Sequence, residues 1–290
     1  MSESGKIVEC PRDAWQGVPA IIPAQQKADY LQKLIAAGFT AIDAVSFVSP
    51  AAVPQMADSE KVLEIIDVPE SLEIIGIVVN ENGAERAIKA GAVRTLGFPY
   101  SISQEFLRRN QKQTREESLA VLGSIAALAG DAGRDVVAYV SMAFGNPYGD
   151  ASSIDALVHA CRQLIGMGIR QISIADTVGL ATSAQIEQTV ARALEASDGA
   201  EIAVHLHARP QDAAPKIRAA YRAGCRRFDA AIGGLGGCPF AQDALVGNIA
   251  TETLIAELKE LGADLPRLEP LHSLVSASAA IARDFGTALN

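Results

Sequence analysis

The chain has no Cys-x-x-Cys pair, and its four cysteines, Cys10, Cys161, Cys225 and Cys238, lie far apart. That argues against a zinc ribbon, a thioredoxin-type redox motif and the dense disulfide framework of a small secreted domain; reduced thiols in a cytoplasm are expected. Positive charge is also scarce. Twenty-five Lys and Arg face 34 Asp and Glu, a net charge of −9, so no nucleic-acid partner, which would need a basic face, is expected. A small anion remains possible, because one arginine or a few backbone amides suffice for it. No apolar stretch approaches the ~20 residues of a membrane span, and the polar start, Met1 to Lys6, does not resemble a signal peptide. The expected setting is soluble and cytoplasmic, with no membrane partner. Aromatic residues make up only 5% of the chain while 49% is hydrophobic, so the core must come from aliphatic strands and Ala/Leu-rich helices. No Gly-x-Gly-x-x-Gly follows the first strand, which counts against a dinucleotide fold. No linker, charge block or low-complexity run divides the chain.

Short β-branched runs alternate with longer amphipathic ones. The runs at residues 7–10, 41–45, 72–79, 93–97, 135–142, 171–175, 202–207 and 227–231 are expected as strands. Helical patterns cover 24–37, 81–90, 104–129, 153–167, 183–196, 211–223 and 250–261, and a polar-to-apolar tail follows. Gly38, Gly91, Gly168 and Gly224 mark helix exits. Strands separated by helices pair in parallel, and eight such units can close into a TIM (β/α)8 barrel. One barrel domain over residues 1–290 is expected; the alternative is an open doubly wound sheet.

In such a barrel, chemistry gathers where strands end and the following loops begin. The rim so defined carries Arg12, Asp13, Asp43, Ser46, Asn146, Tyr148, Asp176, Thr177, His205, His207, the Gly233–Cys238 loop and Asn248. His205 and His207 are two apart on a strand, so both imidazoles face one side. With the Asp13 carboxylate and the Asn248 amide oxygen they would make a mixed N/O set that suits Mg²⁺, Mn²⁺ or another six-coordinate divalent ion better than structural zinc. Cys10, Cys161 and Cys225 occupy apolar or helix-flanking contexts and read as packing residues. Cys238 alone lies in a glycine-rich rim loop, where a thiol can meet a substrate. Arg108, Arg109 and Asn110 read as a solvated helix face and stay outside the site.

Pro11-Arg12-Asp13, Ser46-Phe47-Val48-Ser49-Pro50, Val53-Pro54-Gln55-Met56-Ala57-Asp58, His205-Leu206-His207 and Gly234-Leu235-Gly236-Gly237-Cys238-Pro239-Phe240-Ala241-Gln242 resemble 3-hydroxy-3-methylglutaryl-CoA lyases. These belong to the metal-dependent pyruvate-carboxylase-like barrels. The resemblance implies metal ligands at Asp13, His205, His207 and Asn248, a catalytic arginine at Arg12, a loop cysteine at Cys238 and a further site aspartate at Asp176. It implies an acyl-CoA substrate, a homodimer, and a reaction that splits the substrate into acetyl-CoA and a keto acid. The chain departs from the family pattern at several points. Asp43 replaces a glutamate, Ala14-Trp15-Gln16-Gly17-Val18 replaces Gly-Leu-Gln-Asn-Glu, Ala208 replaces an aspartate, and the Cys238–Asn248 segment is one residue longer. Other members of the superfamily condense acetyl-CoA with 2-oxo acids or cleave free hydroxy-oxo acids. A catalytically silent metal-binding barrel is a further alternative.

Overall fold

The structure is a computed structural model and describes residues 4–236 and 246–286. Among the described residues eight strands make the ring: β1 (Lys6–Glu9), β2 (Ala41–Ser46), β3 (Glu73–Ile77), β4 (Thr95–Ser101), β5 (Asp135–Ser141), β6 (Gln171–Asp176), β7 (Glu201–Ala208) and β8 (Arg227–Ala230). Each pairs in parallel with its neighbours, and β6 pairs with β7 to close the ring. The result is the TIM (β/α)8 barrel. A ninth strand, β9 (Gly247–Asn248), runs antiparallel to the end of β7 and sets Asn248 opposite His207.

The helices between strands are α1 (Pro11–Gln16), α2 (Ala24–Ala36), α3 (Ser59–Ile65), α4 (Glu81–Lys89), α5 (Gln104–Asn110), α6 (Arg115–Asp131), α7 (Ile154–Gly166), α8 (Ser183–Glu195) and α9 (Pro210–Arg222). After the barrel come α10 (Thr251–Glu260) and α11 (His272–Phe285). Asn80, Ser103, Thr114, Ser153 and Thr182 each cap a helix by accepting the backbone N–H three residues on. The single helix expected over 104–129 is two. The chain breaks at Lys112, whose φ is +57°, and restarts at Thr114, which forms a capping box with Glu117. The expected tail contains α11, and Arg12 and Asp13, expected in a loop, lie in α1. No helix among the described residues is long and apolar enough to cross a membrane.

Strand alternation divides the side chains into two sets. Val8, Cys10, Ala41, Ile75, Ile77, Val137 and Tyr139 cluster inside the barrel. Their neighbours Ile7, Ile42, Ile74, Ile172, Ile174, Val204, Leu206 and Phe228 belong to the larger core beneath the helices. The floor is polar: Lys6 pairs with Glu73 at 2.7 Å, and Arg227 reaches Glu201 at 2.5 Å and Gln171 at 2.6 Å. Glu9, 1% exposed, has the outward parity. It accepts the Ile232 N–H at 2.8 Å and the Thr251 hydroxyl at 2.5 Å, tying β1 to the start of α10.

Candidate metal centre and active site

His205 and His207 aim the same ring nitrogen at one point: their Nε2 atoms are 3.1 Å apart. Two ligand atoms set at right angles around an ion at ~2.1 Å would be ~3 Å apart. Asp13 joins them, and the donor atoms of the three residues all lie within 4.8 Å of one another. Burial works against the charge of Asp13, but Arg12, both histidines and the Asn248 amide outweigh it and hold the group down at about 2. The pKa of His207 is also lowered, to about 3, by burial and by His205, which keeps its ring neutral. A carboxylate and a neutral imidazole are the forms that bind a cation; against burial, Asp229 and Asp13 raise the pKa of His205, so that ring gives up its proton as a cation enters. The donor set therefore fits a divalent metal.

Asp229, on β8 opposite His205, stands behind the site. Its Oδ2 is 3.4 Å from His205 Nδ1 and accepts the Ser173 hydroxyl at 2.6 Å. Burial disfavours its charge, yet His205, Arg227 and Ser173 keep its pKa below the usual carboxylate range. A carboxylate there fixes the ring orientation and leaves Nε2 free to bind.

Asn248 reaches the site from β9. Its Nδ2 donates to Asp13 Oδ2 at 2.9 Å and to the Leu235 carbonyl at 3.0 Å. A half-turn about its last side-chain bond would put the amide oxygen at the position now held by nitrogen, beside Asp13. Glycines permit this closeness. Gly236 has φ +86°, and a Cβ there would come within 2.6 Å of Ala14 Cα and 3.0 Å of the Asp13 carbonyl. A Cβ on Gly247 would come within 2.5 Å of the Gly234 carbonyl. A larger residue at 236 would lift the segment after β8 from α1, and one at 247 would lift β9 from that segment.

Arg12, 7% exposed, is held on several sides. Its Nε donates to Asp43 Oδ1 at 3.0 Å while Nη2 donates to Asp43 Oδ2, making a bidentate pair. Its Nη1 donates to Asp13 Oδ1 and to Gln16 Oε1, each at 3.1 Å, and Gln16 Nε2 donates to Asp13 Oδ1 at 2.8 Å. Burial lowers the Arg12 pKa, but Asp43 and Asp13 outweigh it and raise it overall, so the guanidinium stays charged. One turn of α1 thus gathers Arg12, Asp13 and Gln16 at helical spacing.

Of the residues expected from the sequence, Arg12, Asp13, Asp43, His205, His207 and Asn248 come together. Cys238 lies outside the described residues. Asp176 is not brought to the group. Its carboxylate bonds to Lys216 at 2.7 Å and accepts the Ala181 N–H. Asn146 Oδ1 accepts the Tyr148 and Asp150 N–H groups, and Thr177 accepts the Met142 N–H; both build loops. Arg108 and Arg109 pair with Glu105 on an exposed face. Sequence reasoning missed Gln16, Asp229 and Lys216. The pairing of β7 with β8 would have pointed to Asp229, and a helix over Pro11–Gln16 would have pointed to Gln16.

A family model described as HMGL-like matches residues 7–281. The hydroxymethylglutaryl-CoA lyase YngG of Bacillus subtilis (strain 168) is 31% identical over 279 residues, which is 96% of this chain and 92% of that protein. The mitochondrial hydroxymethylglutaryl-CoA lyase of Arabidopsis thaliana is 33% identical over 258 residues, 89% of this chain but only 55% of the relative's length. Among solved structures, an HMG-CoA lyase from Acinetobacter baumannii in complex with coenzyme A and 3-methylmalate superposes with a TM-score of 0.89 at 32% identity, covering 98% of this chain and 92% of that one. The barrel, the clustered Asp13, His205 and His207, and a match along nearly the whole sequence agree: the chain belongs to the HMGL-like family, whose relatives here are hydroxymethylglutaryl-CoA lyases.

Proposed function

We propose that this chain is a carbon–carbon lyase that cleaves a 3-hydroxy-3-methylglutaryl-CoA-like thioester to acetyl-CoA and a keto acid, using Mg²⁺ or Mn²⁺ held by Asp13, His205, His207 and Asn248. The observation that carries this reading is the convergence of two Nε2 atoms 3.1 Å apart with the ionised Asp13 carboxylate at the barrel mouth. The ion, when bound, acts as a Lewis acid toward substrate hydroxyl and carboxylate oxygens. In the cleavage the hydroxyl proton goes to a base and the C2–C3 bond breaks, leaving a ketone. The bonding electrons pass into the acetyl-CoA enolate, whose carbon then takes a proton.

Arg12 is a fixed cation for that developing charge. It needs no reorganisation, because Asp43 grips its Nε and Nη2 edge and Gln16 holds Nη1. Cys238 is assigned the proton delivery to the enolate carbon, through a thiol that can donate. Asp43 keeps the arginine in place, and Asp176 is itself held by Lys216 and the Ala181 N–H.

The test is acetyl-CoA release from a panel of 3-hydroxyacyl-CoAs by the purified protein with Mn²⁺ or Mg²⁺, and loss of Mn²⁺ binding in His205→Ala/His207→Ala. Release of no acetyl-CoA from any member of the panel would overturn the activity. A folded double variant that binds Mn²⁺ as well as the wild type would overturn the site.

A further inference from the structure

The seam where β6 meets β7 contains a buried cation that has no part in the chemistry above. Lys216, in the second turn of α9, is 5% exposed. Its ammonium donates to Asp176 Oδ2 at 2.7 Å, to the Gly179 carbonyl at 3.0 Å and to the His207 carbonyl at 3.0 Å. An ammonium has three N–H groups, so its donors are fully used. Asp176 is anchored in turn, since each of its oxygens lies 3.2 Å from the Ala181 nitrogen. Gly179 has φ +69°, and a Cβ there would come within 3.2 Å of the His207 carbonyl and 2.4 Å of the Val246 side chain. The loop can press onto the end of β7 because that residue is glycine.

One acceptor in this knot is the main chain of His207, whose imidazole belongs to the candidate metal site. His207 is also the residue opposite Asn248 in the β7–β9 pairing. A shift of that carbonyl would move two ligands together. The interactions Lys216 makes are with main chain and with Asp176, so its influence on the site passes through His207. Burying a lysine and an aspartate contributes little net stability compared with apolar residues of similar size, whereas three directed hydrogen bonds fix a position.

We propose that Lys216 is a positioning residue for the metal centre, its ammonium fixing the His207 main chain against Asp176 and the Gly179 carbonyl. The proposal rests on the metal site proposed above. The probe is Mn²⁺ alone, titrated by calorimetry and followed by electron paramagnetic resonance, with thermal melting of each variant in parallel. Lys216→Met removes the donor but strands the Asp176 charge. Lys216→Met/Asp176→Asn removes both charges and isolates the lost contact to His207. Mn²⁺ binding should weaken ~10–100-fold in both, the range usual for residues that support a metal ligand. The resonance should change shape, while the double variant melts close to the wild type. A double variant with both wild-type melting and wild-type Mn²⁺ affinity would overturn the proposal. If that variant does not fold, Lys216→Arg decides: it keeps a charge against Asp176 but spreads its donors over a planar fork. It should fold and bind Mn²⁺ more weakly, and unchanged affinity would overturn the proposal equally. A wild type that binds no Mn²⁺ would instead overturn the metal site itself.

Discussion

Raising the pH from about 5 to about 7 should weaken the fold through one carboxyl group, Glu9. Burial pushes its pKa up to about 8, against the hydrogen bonds from Thr251 and the Ile232 N–H that favour the charged form. In the unfolded chain a glutamate titrates near ~4.3. Between those values the native protein holds a proton that the unfolded chain has released, so unfolding releases one proton. The contribution is therefore complete below the unfolded pKa and is lost as pH rises through the folded one. The slope is ~1.4 kcal/mol per pH unit within the window, or roughly 3 kcal/mol from pH 5 to 7. Against a typical total of ~5–15 kcal/mol that is a large share. Glu9→Gln keeps the shape, can still accept from Ile232 and can donate to Thr251, but has no proton to release. Urea unfolding of the metal-free protein, followed by circular dichroism at pH 5, 6 and 7, should give wild-type and variant stabilities whose difference changes by that slope. Other titrating groups are common to both proteins and cancel. Parallel pH profiles would refute the reasoning.

Arg12→Met should lower turnover ~10²–10³-fold, and, because Asp43 loses its buried counter-ion, stability should fall by ~3–5 kcal/mol. Arg12→Met/Asp43→Leu should recover melting temperature but not turnover, and recovered turnover would remove Arg12 from the mechanism. Gly236→Ala should weaken Mn²⁺ binding in a calorimetric titration, since its Cβ would displace the backbone at Asp13 and Ala14; wild-type affinity would show that the close approach is unimportant. Asp43 is one methylene shorter than the glutamate of the family pattern, so the Arg12 it grips is held nearer β2, and one methylene of pocket shape is worth ~1–3 kcal/mol. Acyl groups larger or more polar than methylglutaryl should therefore be cleaved at least as well, and a strong preference for 3-hydroxy-3-methylglutaryl-CoA in specificity constants would refute this.

Much of the barrel was legible because its strands are aliphatic runs with glycine at the preceding helix exits. The ends of those strands then located Asp13, Asp43, His205 and His207. Helix α1 was not legible: six residues opening on Pro11 are too short for a hydrophobic period to appear. The break before α6 had a readable sign in Thr114 and Glu117, but the apolar residues on either side run through it. Asp176 shows how strand parity matters. It shares a face with Ile172 and Ile174, which pack under the helices, whereas His205 and His207 share theirs with Ala203. Position at the rim does not decide which way a side chain leaves the strand. The partner that claims Asp176, Lys216, is forty residues away and becomes visible only when β6 and β7 close.

Asp13 and Asn248, in hydrogen-bond contact, are separated by 235 positions along the chain. A ribosome adding ~5–20 residues per second needs roughly 12–47 s to pass from one to the other. During that interval the nascent polypeptide already displays Asp13, and near the end both histidines, without the strand that brings Asn248 beside them. Tight metal capture is therefore expected to follow synthesis of β9, and the bound ion would report that the first and last parts of the barrel have met. Ribosome-bound chains stalled before and well after residue 248 provide the comparison: equal Mn²⁺ retention by the two would break this link between closure and loading.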